Sequence, residues 1–202
     1  MPHRALVWLL DADALSDGTL AAYAAWLDAT ERRRLERFVR PARRRQFLTG
    51  RVLARLALAE VLGIGAKDVR LEDRPGAAPL LAAPADEVAG FSISHSGRWV
   101  ACAASVSSKL GLDIEVVDPA RDIDALAAQA FDEGQLAWLA ARPPATRLRD
   151  FYGLWSLAEA QFKLGRLARG RFDLSTPALA IVLCSEQALG AAPEVEIKTL
   201  GF

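Results

Sequence analysis

Asp113 and Glu115 stand two residues apart in the stretch Leu-Gly-Leu-Asp-Ile-Glu-Val. Successive strand side chains point to opposite faces, so the spacing puts both carboxylates on one face and Leu112, Ile114 and Val116 on the other. Two adjacent carboxylates repel unless solvent screens them or a cation bridges them, and hard oxygen ligands suit Mg2+. A half-exposed strand with a polar outer face gives the same short pattern, so the pair gains meaning only from its company. Glu159 and Lys163 lie four apart on a helical stretch, in the favourable order for a surface ion pair. Glu159 borders a stripe of Phe151, Leu154, Trp155, Ala158 and Phe162 whose spacing predicts burial. From that edge it can project toward the strand as a third carboxylate.

Cations are gathered elsewhere. Ten arginines lie between Arg32 and Arg55, and Arg44, Arg51 and Arg55 recur at spacings of seven and four, which gives them one helix face. Arg51 and Arg55 sit among Val52, Leu53, Leu56 and Leu58. A guanidinium in such surroundings needs an anion, either Glu60, Asp68 or another carboxylate of the chain, or a bound ligand. Ser94 and His95 end an alternating run just before Ser96-Gly97, a turn signal. A histidine there is a structural hydrogen-bonder, or a ligand-binding group where a phosphate or a reacting proton lies near.

The elements that must position these residues follow from periodicity and punctuation. A strand is expected over residues 5–10 and helices over 19–27 and 30–39, the second with Thr30 as N-cap. A long helix over 42–62 starts after Pro41 and stops at Gly63. Residues 71–87 are rich in Pro, Gly, Ala and Asp and read as loop. Strands over 91–95 and 99–104 form a hairpin, and with 110–116 they are expected to build one antiparallel sheet. Helices follow over 123–130, 132–141 and 146–164, then strands over 180–184 and 195–200. The order suggests an α/β fold of two halves, residues 1–107 and 108–202.

With 202 residues, 52% of them apolar, the chain can bury a sizeable core. Its formal net charge of +0 gives no general argument for nucleic acid or an anionic membrane. Cys102 and Cys184 lie in apolar runs and read as buried thiols. The opening Met-Pro-His-Arg is unlike a signal peptide, and no apolar run reaches the roughly 18 to 20 residues of a membrane span, so a soluble cytoplasmic protein is expected.

Three stretches in order carry a family resemblance: residues 91–100 (Phe-Ser-Ile-Ser-His-Ser-Gly-Arg-Trp-Val), 110–115 (Leu-Gly-Leu-Asp-Ile-Glu) and 151–163 (Phe-Tyr-Gly-Leu-Trp-Ser-Leu-Ala-Glu-Ala-Gln-Phe-Lys). Together they resemble the signatures of the Sfp-type 4'-phosphopantetheinyl transferases, and the arginine-rich residues 31–55 are similar to that family's N-terminal helices. The resemblance implies two similar α/β halves in pseudo-twofold arrangement with the active site between them. It implies a monomeric enzyme that moves the phosphopantetheine arm of coenzyme A onto a serine of an apo acyl or peptidyl carrier protein, with Mg2+, releasing 3',5'-ADP. Asp113, Glu115 and Glu159 would bind Mg2+, and Glu159, or a water beside a carboxylate, would take the serine proton. Ser94 and His95 would contact the 3'-phosphate of coenzyme A, Lys163 the diphosphate, and Arg51 a further anionic group.

Two departures from the family pattern stand out. The helix motif usually reads Trp-x-x-Lys-Glu-Ala-x-x-Lys, and this chain has Ala158 in place of the first lysine. A loop that tends to read Gly-Lys-Pro or Gly-Arg-Pro is here Gly76-Ala-Ala-Pro79. Arg74, Arg98 and Arg166 are candidates to replace the missing cations. The alternative reading is a transferase-like protein that binds coenzyme A or a carrier protein without efficient catalysis.

Overall fold

The computed structural model describes residues 3–74, 76–85 and 88–200. The N-terminal half contains β1 (Leu6–Asp11), α1 (Asp17–Ala24), α2 (Ala29–Arg37), α3 (Pro41–Leu62), β2 (Arg70–Glu72), β3 (Leu80–Ala83), β4 (Gly90–Ser96) and β5 (Trp99–Ser105). Residues after 107 supply β6 (Leu110–Val116), α4 (Ile123–Ala130), α5 (Glu133–Ala140), α6 (Pro144–Leu164), β7 (Gly170–Asp173), β8 (Leu179–Ser185) and β9 (Val195–Lys198), the last of which returns to pair in parallel with β1. This is the mixed α/β class expected, with six helices and three sheets among the described residues.

The two long helices obey the same local rules. Each carries proline in its first turn, where a missing N–H costs nothing, and each is closed by a left-handed glycine, Gly63 for α3 and Gly165 for α6. The start of α2 differs from expectation: Asp28 is the N-cap, and it forms a capping box with Glu31, while Thr30 sits inside the first turn and bonds Asp28. The acid two residues ahead of Thr30 satisfies the Thr30 and Glu31 backbone donors at once, which a hydroxyl inside the helix does not.

The sheets order as β4-β5-β1-β9, β6-β8-β7 and the small pair β2-β3. The β4–β5 hairpin turns through Gly97-Arg98, with Ser96 paired to Trp99. Only Gly97 of the two has positive φ, at 55°, the pattern of a type II′ turn. The single antiparallel sheet expected of β4, β5 and β6 does not form. β6 pairs along its whole length with β8, so the segment nearest in sequence is displaced by one some seventy residues later. Residues 71–87 also hold more order than their composition suggests, since β2 and β3 pair there, and β7 was not anticipated. Residues 86 and 87 of that stretch lie outside the described residues.

Packing gives four layers. Leu53, Ala54, Ala57 and Leu58 of α3 cover one face of the first sheet through Trp8, Leu10, Val100 and Cys102. Val7, Leu9, Ala101 and Ala103 on its other face meet Leu112, Ile114, Ile181 and Leu183 of the second sheet. Ala160 and Leu164 of α6 cover the outer face of the second sheet through Val182 and Cys184. A side chain at Gly111 would overlap the Ala160 carbonyl oxygen, 2.0 Å from an ideal Cβ, so α6 lies directly on β6 there. Both cysteines are free and buried. No helix among the described residues is long and apolar enough to cross a membrane.

Candidate functional site

β4 and β6 are the facing edges of the two sheets, and side chains rather than backbone join them. Ser92, Ser94 and Ser96 project from one face of β4, and their hydroxyls accept hydrogen bonds from the N–H groups of Leu112, Ile114 and Val116 at 2.9, 3.2 and 3.0 Å. Three serines at alternate positions thus do for β6 what a neighbouring strand's carbonyls would do. The intervening residues Phe91, Ile93 and His95 face the opposite way, toward α3, and line a cleft there.

The carboxylates expected to share a face do so, on the side of β6 covered by α6. Leu112 and Ile114 lie in the inter-sheet core on the other side. Asp113 is only 4% exposed. Its Oδ1 accepts from Ser94 Oγ at 3.0 Å and from Lys163 Nζ at 2.7 Å, and Lys163 also donates to Ser94 Oγ and to the Leu112 carbonyl. Asp113 Oδ2 is buried without a hydrogen-bond partner. Glu115 accepts from Ser96 Oγ through Oε2 at 2.7 Å. Burial raises the Glu115 pKa, the Ser96 hydrogen bond opposes that shift, and the Asp113 charge adds to it.

Glu159 lies one turn before Lys163 on α6 and is exposed, with no ion pair or hydrogen bond among the described residues. Among those residues no three His, Cys, Asp or Glu side chains converge closely enough to hold a metal ion. The Asp113–Glu115 pair alone is preassembled. The buried, unpartnered oxygen of Asp113 beside a second carboxylate is nevertheless the donor set that a hard cation fits. The apolar stripe of α6 needs correction: Phe162 is 82% exposed and Ala158 is exposed too, while Phe151, Tyr152, Ser156, Ala160 and Leu164 are buried. Helical spacing identified an apolar face, but sheet packing chose a different rotation.

The cleft between α3 and β4 is cationic. Arg34, Arg43, Arg51, Lys163 and His95 line it, together with Phe47 and Ala78. Arg43 is held by Gln46, which in turn donates to the Gly97 carbonyl at the hairpin turn. Arg43 Nη1 lies 2.9 Å from His95 Nε2. Burial and then the Arg43 charge hold the His95 pKa below its ordinary 6.5. Arg34 and Arg43 were not singled out in the sequence, because a dense arginine run does not reveal which members reach a cleft. The Gln46 and Arg43 pair at i and i+3 was the available signal.

Arg51 and Arg55 find internal partners, though not Glu60 or Asp68. Fully buried Glu31 lies 3.4 Å from Arg51 Nε and 2.6 Å from Arg55 Nη2, and Arg51 also pairs with Asp73 while its guanidinium covers the Phe47 ring at 4.8 Å. Arg34 joins Asp73 at 2.7 Å. Ser94, expected beside a phosphate, here donates its hydroxyl proton to Asp113 and accepts the Ile114 N–H, so its side chain faces the seam. Of the candidate replacement cations, Arg98 pairs with Asp11 and Arg166 with Glu186, and Arg74 donates twice to the Ala78 carbonyl.

The sequence matches two family models, the 4'-phosphopantetheinyl transferase N-terminal model over residues 15–107 and the 4'-phosphopantetheinyl transferase superfamily model over residues 109–187. Among curated relatives, the 4'-phosphopantetheinyl transferase HetI of a Nostoc species is 28% identical over 158 residues, 78% of this chain and 66% of the relative. A 4'-phosphopantetheinyl transferase of Bacillus subtilis is 32% identical over 149 residues, 74% of this chain and 64% of the relative. The 4'-phosphopantetheinyl transferase Sfp of Bacillus subtilis is 29% identical over 141 residues, 70% of this chain and 61% of the relative. The chain therefore spans less than two thirds of the length of these relatives. With one model matching up to the seam and the other beyond it, this chain belongs to the 4'-phosphopantetheinyl transferase superfamily.

Proposed function

We propose that this chain transfers the 4'-phosphopantetheine arm of coenzyme A to a serine of an apo acyl or peptidyl carrier protein, with Mg2+, and releases 3',5'-ADP. The observation that carries the reading is the meeting, across one strand, of a cationic cleft and a carboxylate seam: Lys163 lines the first and touches Asp113 in the second. A substrate with a phosphomonoester and a diphosphate needs cations at one end and, at the reacting phosphorus, charge neutralisation beside a proton acceptor.

In this reading His95 and Arg43 bind the 3'-phosphate, with Arg34 and Arg51 contributing positive potential from the cleft wall. Lys163 exchanges Asp113 for the diphosphate. Asp113, Glu115 and Glu159 hold Mg2+, Glu159 joining the other two when ligand arrives. The ion would supply neutralisation of charge on the diphosphate oxygens. The serine oxygen forms a new bond to the pantetheine-side phosphorus as that phosphorus loses its bridging oxygen to 3',5'-ADP. The serine proton passes to Glu159 or to a water held beside the carboxylates. The protein acts as a cytoplasmic monomer on its carrier partner, and Ala158 lowers the rate without preventing coenzyme A binding.

Intact-mass spectrometry of several apo carrier proteins incubated with the protein, coenzyme A and Mg2+ tests this directly. The expected result is a gain of one phosphopantetheine mass that disappears when the metal is chelated. Coenzyme A binding with no mass gain on any carrier would replace the transferase reading with that of a binding protein.

A further inference from the structure

The seam contains a set of contacts that anion binding does not use. Each acid of the Asp113–Glu115 pair has one oxygen tethered by a serine of the other half of the molecule: Asp113 Oδ1 by Ser94 and Glu115 Oε2 by Ser96. Ser96 is itself fixed, because its hydroxyl accepts the Val116 N–H at 3.0 Å while donating to Glu115 at 2.7 Å. Tethering one oxygen of each carboxylate removes a rotation that would let the pair turn apart. It leaves Asp113 Oδ2, buried and without a partner, and Glu115 Oε1 as the oxygens available to a ligand. Ser92, the third member of the same ladder, accepts the Leu112 N–H and touches neither carboxylate.

We propose that Ser96 is a positioning residue for the divalent cation: from the N-terminal half it orients Glu115 so that both carboxylates present their untethered oxygens to one ion. The inference rests on the metal reading above and adds a residue to it. Hydrogen bonds to metal-ligating carboxylates fix ligand orientation, and their loss commonly weakens metal binding by about 10- to 100-fold. One strand then carries both functions, His95 toward the cleft and Ser96 toward the cation pair, so the halves cannot separate at the seam without loosening the metal site.

The test is Mn2+ binding followed by electron paramagnetic resonance, with and without coenzyme A, on the parent and on Ser96→Ala, Ser96→Thr and Ser92→Ala. Ser96→Ala should raise the Mn2+ dissociation constant by about 10- to 100-fold, and Ser96→Thr, which keeps the hydroxyl, should restore it. Ser92→Ala removes a ladder bond of the same kind, so it should lower the melting temperature comparably while leaving Mn2+ affinity unchanged. Should alanine at 96 cost the fold, Ser96→Thr against Ser96→Val makes the same comparison at constant size. Equal Mn2+ affinity in parent and Ser96→Ala, or equal weakening by Ser92→Ala, overturns the positioning role and leaves the metal reading intact. A parent that binds no Mn2+ under either condition overturns the metal reading and this inference together.

Discussion

Two buried acids, Glu31 and Asp113, show how one chemical group serves two ends. Glu31 is fully buried; its Oε2 accepts from Arg55 at 2.6 Å and from the Asp28 N–H at 3.1 Å, and its Oε1, which makes no hydrogen bond, faces Arg51 Nε at 3.4 Å, so a cation stands against each oxygen. Asp113 has Lys163 and Ser94 on one oxygen and nothing on the other. The first network is closed: it ties α2 to α3 and, through Arg51 and Asp73, to the segment after β2. The second is open on one side. In the first network each acid faces a cation of the same network, whereas the second leaves one carboxylate oxygen with neither cation nor donor, a demand for positive charge that a ligand can fill.

Substitution should separate the two roles cleanly. Asp113→Ala should reduce metal-dependent transfer by roughly a thousandfold, about 4 kcal/mol of transition-state stabilisation, with a modest change in melting temperature. Glu31→Gln should do the reverse. Breaking a buried pair by removing one partner strands the other charge and costs about 3 to 5 kcal/mol of stability, while activity per folded molecule stays near the parent value. Parallel transfer assays and denaturant melts on both variants check this. Transfer at the parent rate in Asp113→Ala would remove the metal assignment, and a stable but inactive Glu31→Gln would show that the Glu31 charge itself is needed for transfer and not only for the fold.

The comparison sharpens at position 158. α6 brings Lys163 to Asp113 in the seam, and on the same helix the exposed Ala158 leaves uncharged a position that the family pattern fills with lysine. A lysine there would add one cation to the open network and none to the closed one. Ala158→Lys should raise the transfer rate by about 100-fold, the lower end of what one transition-state donor supplies, and tighten coenzyme A binding far less. Single-turnover rates alongside calorimetric affinities distinguish these effects, and equal gains in both would show that the position serves ground-state binding.

Much of this framework was legible because proline, glycine and period-two alternation act locally. The ends of α3 at Pro41 and Gly63, the hairpin at Gly97 and the shared face of Asp113 and Glu115 all follow from neighbours in sequence. What was not legible is non-local. No local signal says that β6 prefers β8 to β5, since register is decided by burial on both faces of the finished sheet. The exposure of Phe162 has the same origin: composition marks an apolar helix face, but Gly111 determines how α6 seats on β6. The serines of β4 read as polar positions of an alternating strand, and their service as backbone surrogates depends on an edge strand brought alongside by the other half. Arg51 was correctly read as needing an anion, but its partners Glu31 and Asp73 lie on either side of it in sequence, outside its own helix.

The smallest predicted effect concerns the cleft, where the closed network's helix meets the open network's strand. In the free protein, burial and the Arg43 charge, with a contribution from Lys163, hold the His95 pKa below 6.5, so His95 is neutral at pH 7. A phosphate brought beside it favours the charged imidazolium, so the pKa in the complex rises above that of the free protein. Between the two values, binding takes up a proton. Coenzyme A affinity should therefore strengthen as pH falls through the pKa of the complex and level off below that of the free protein, by at most about tenfold per pH unit for one proton. Calorimetry in two buffers of different ionisation enthalpy measures that uptake. His95→Gln should abolish the part of the slope due to the imidazole and leave only the titration of the phosphate itself. An unchanged pH profile in that variant would mean that Arg43 and Arg34 alone meet the phosphate, with His95 serving only as the surface on which Arg43 rests.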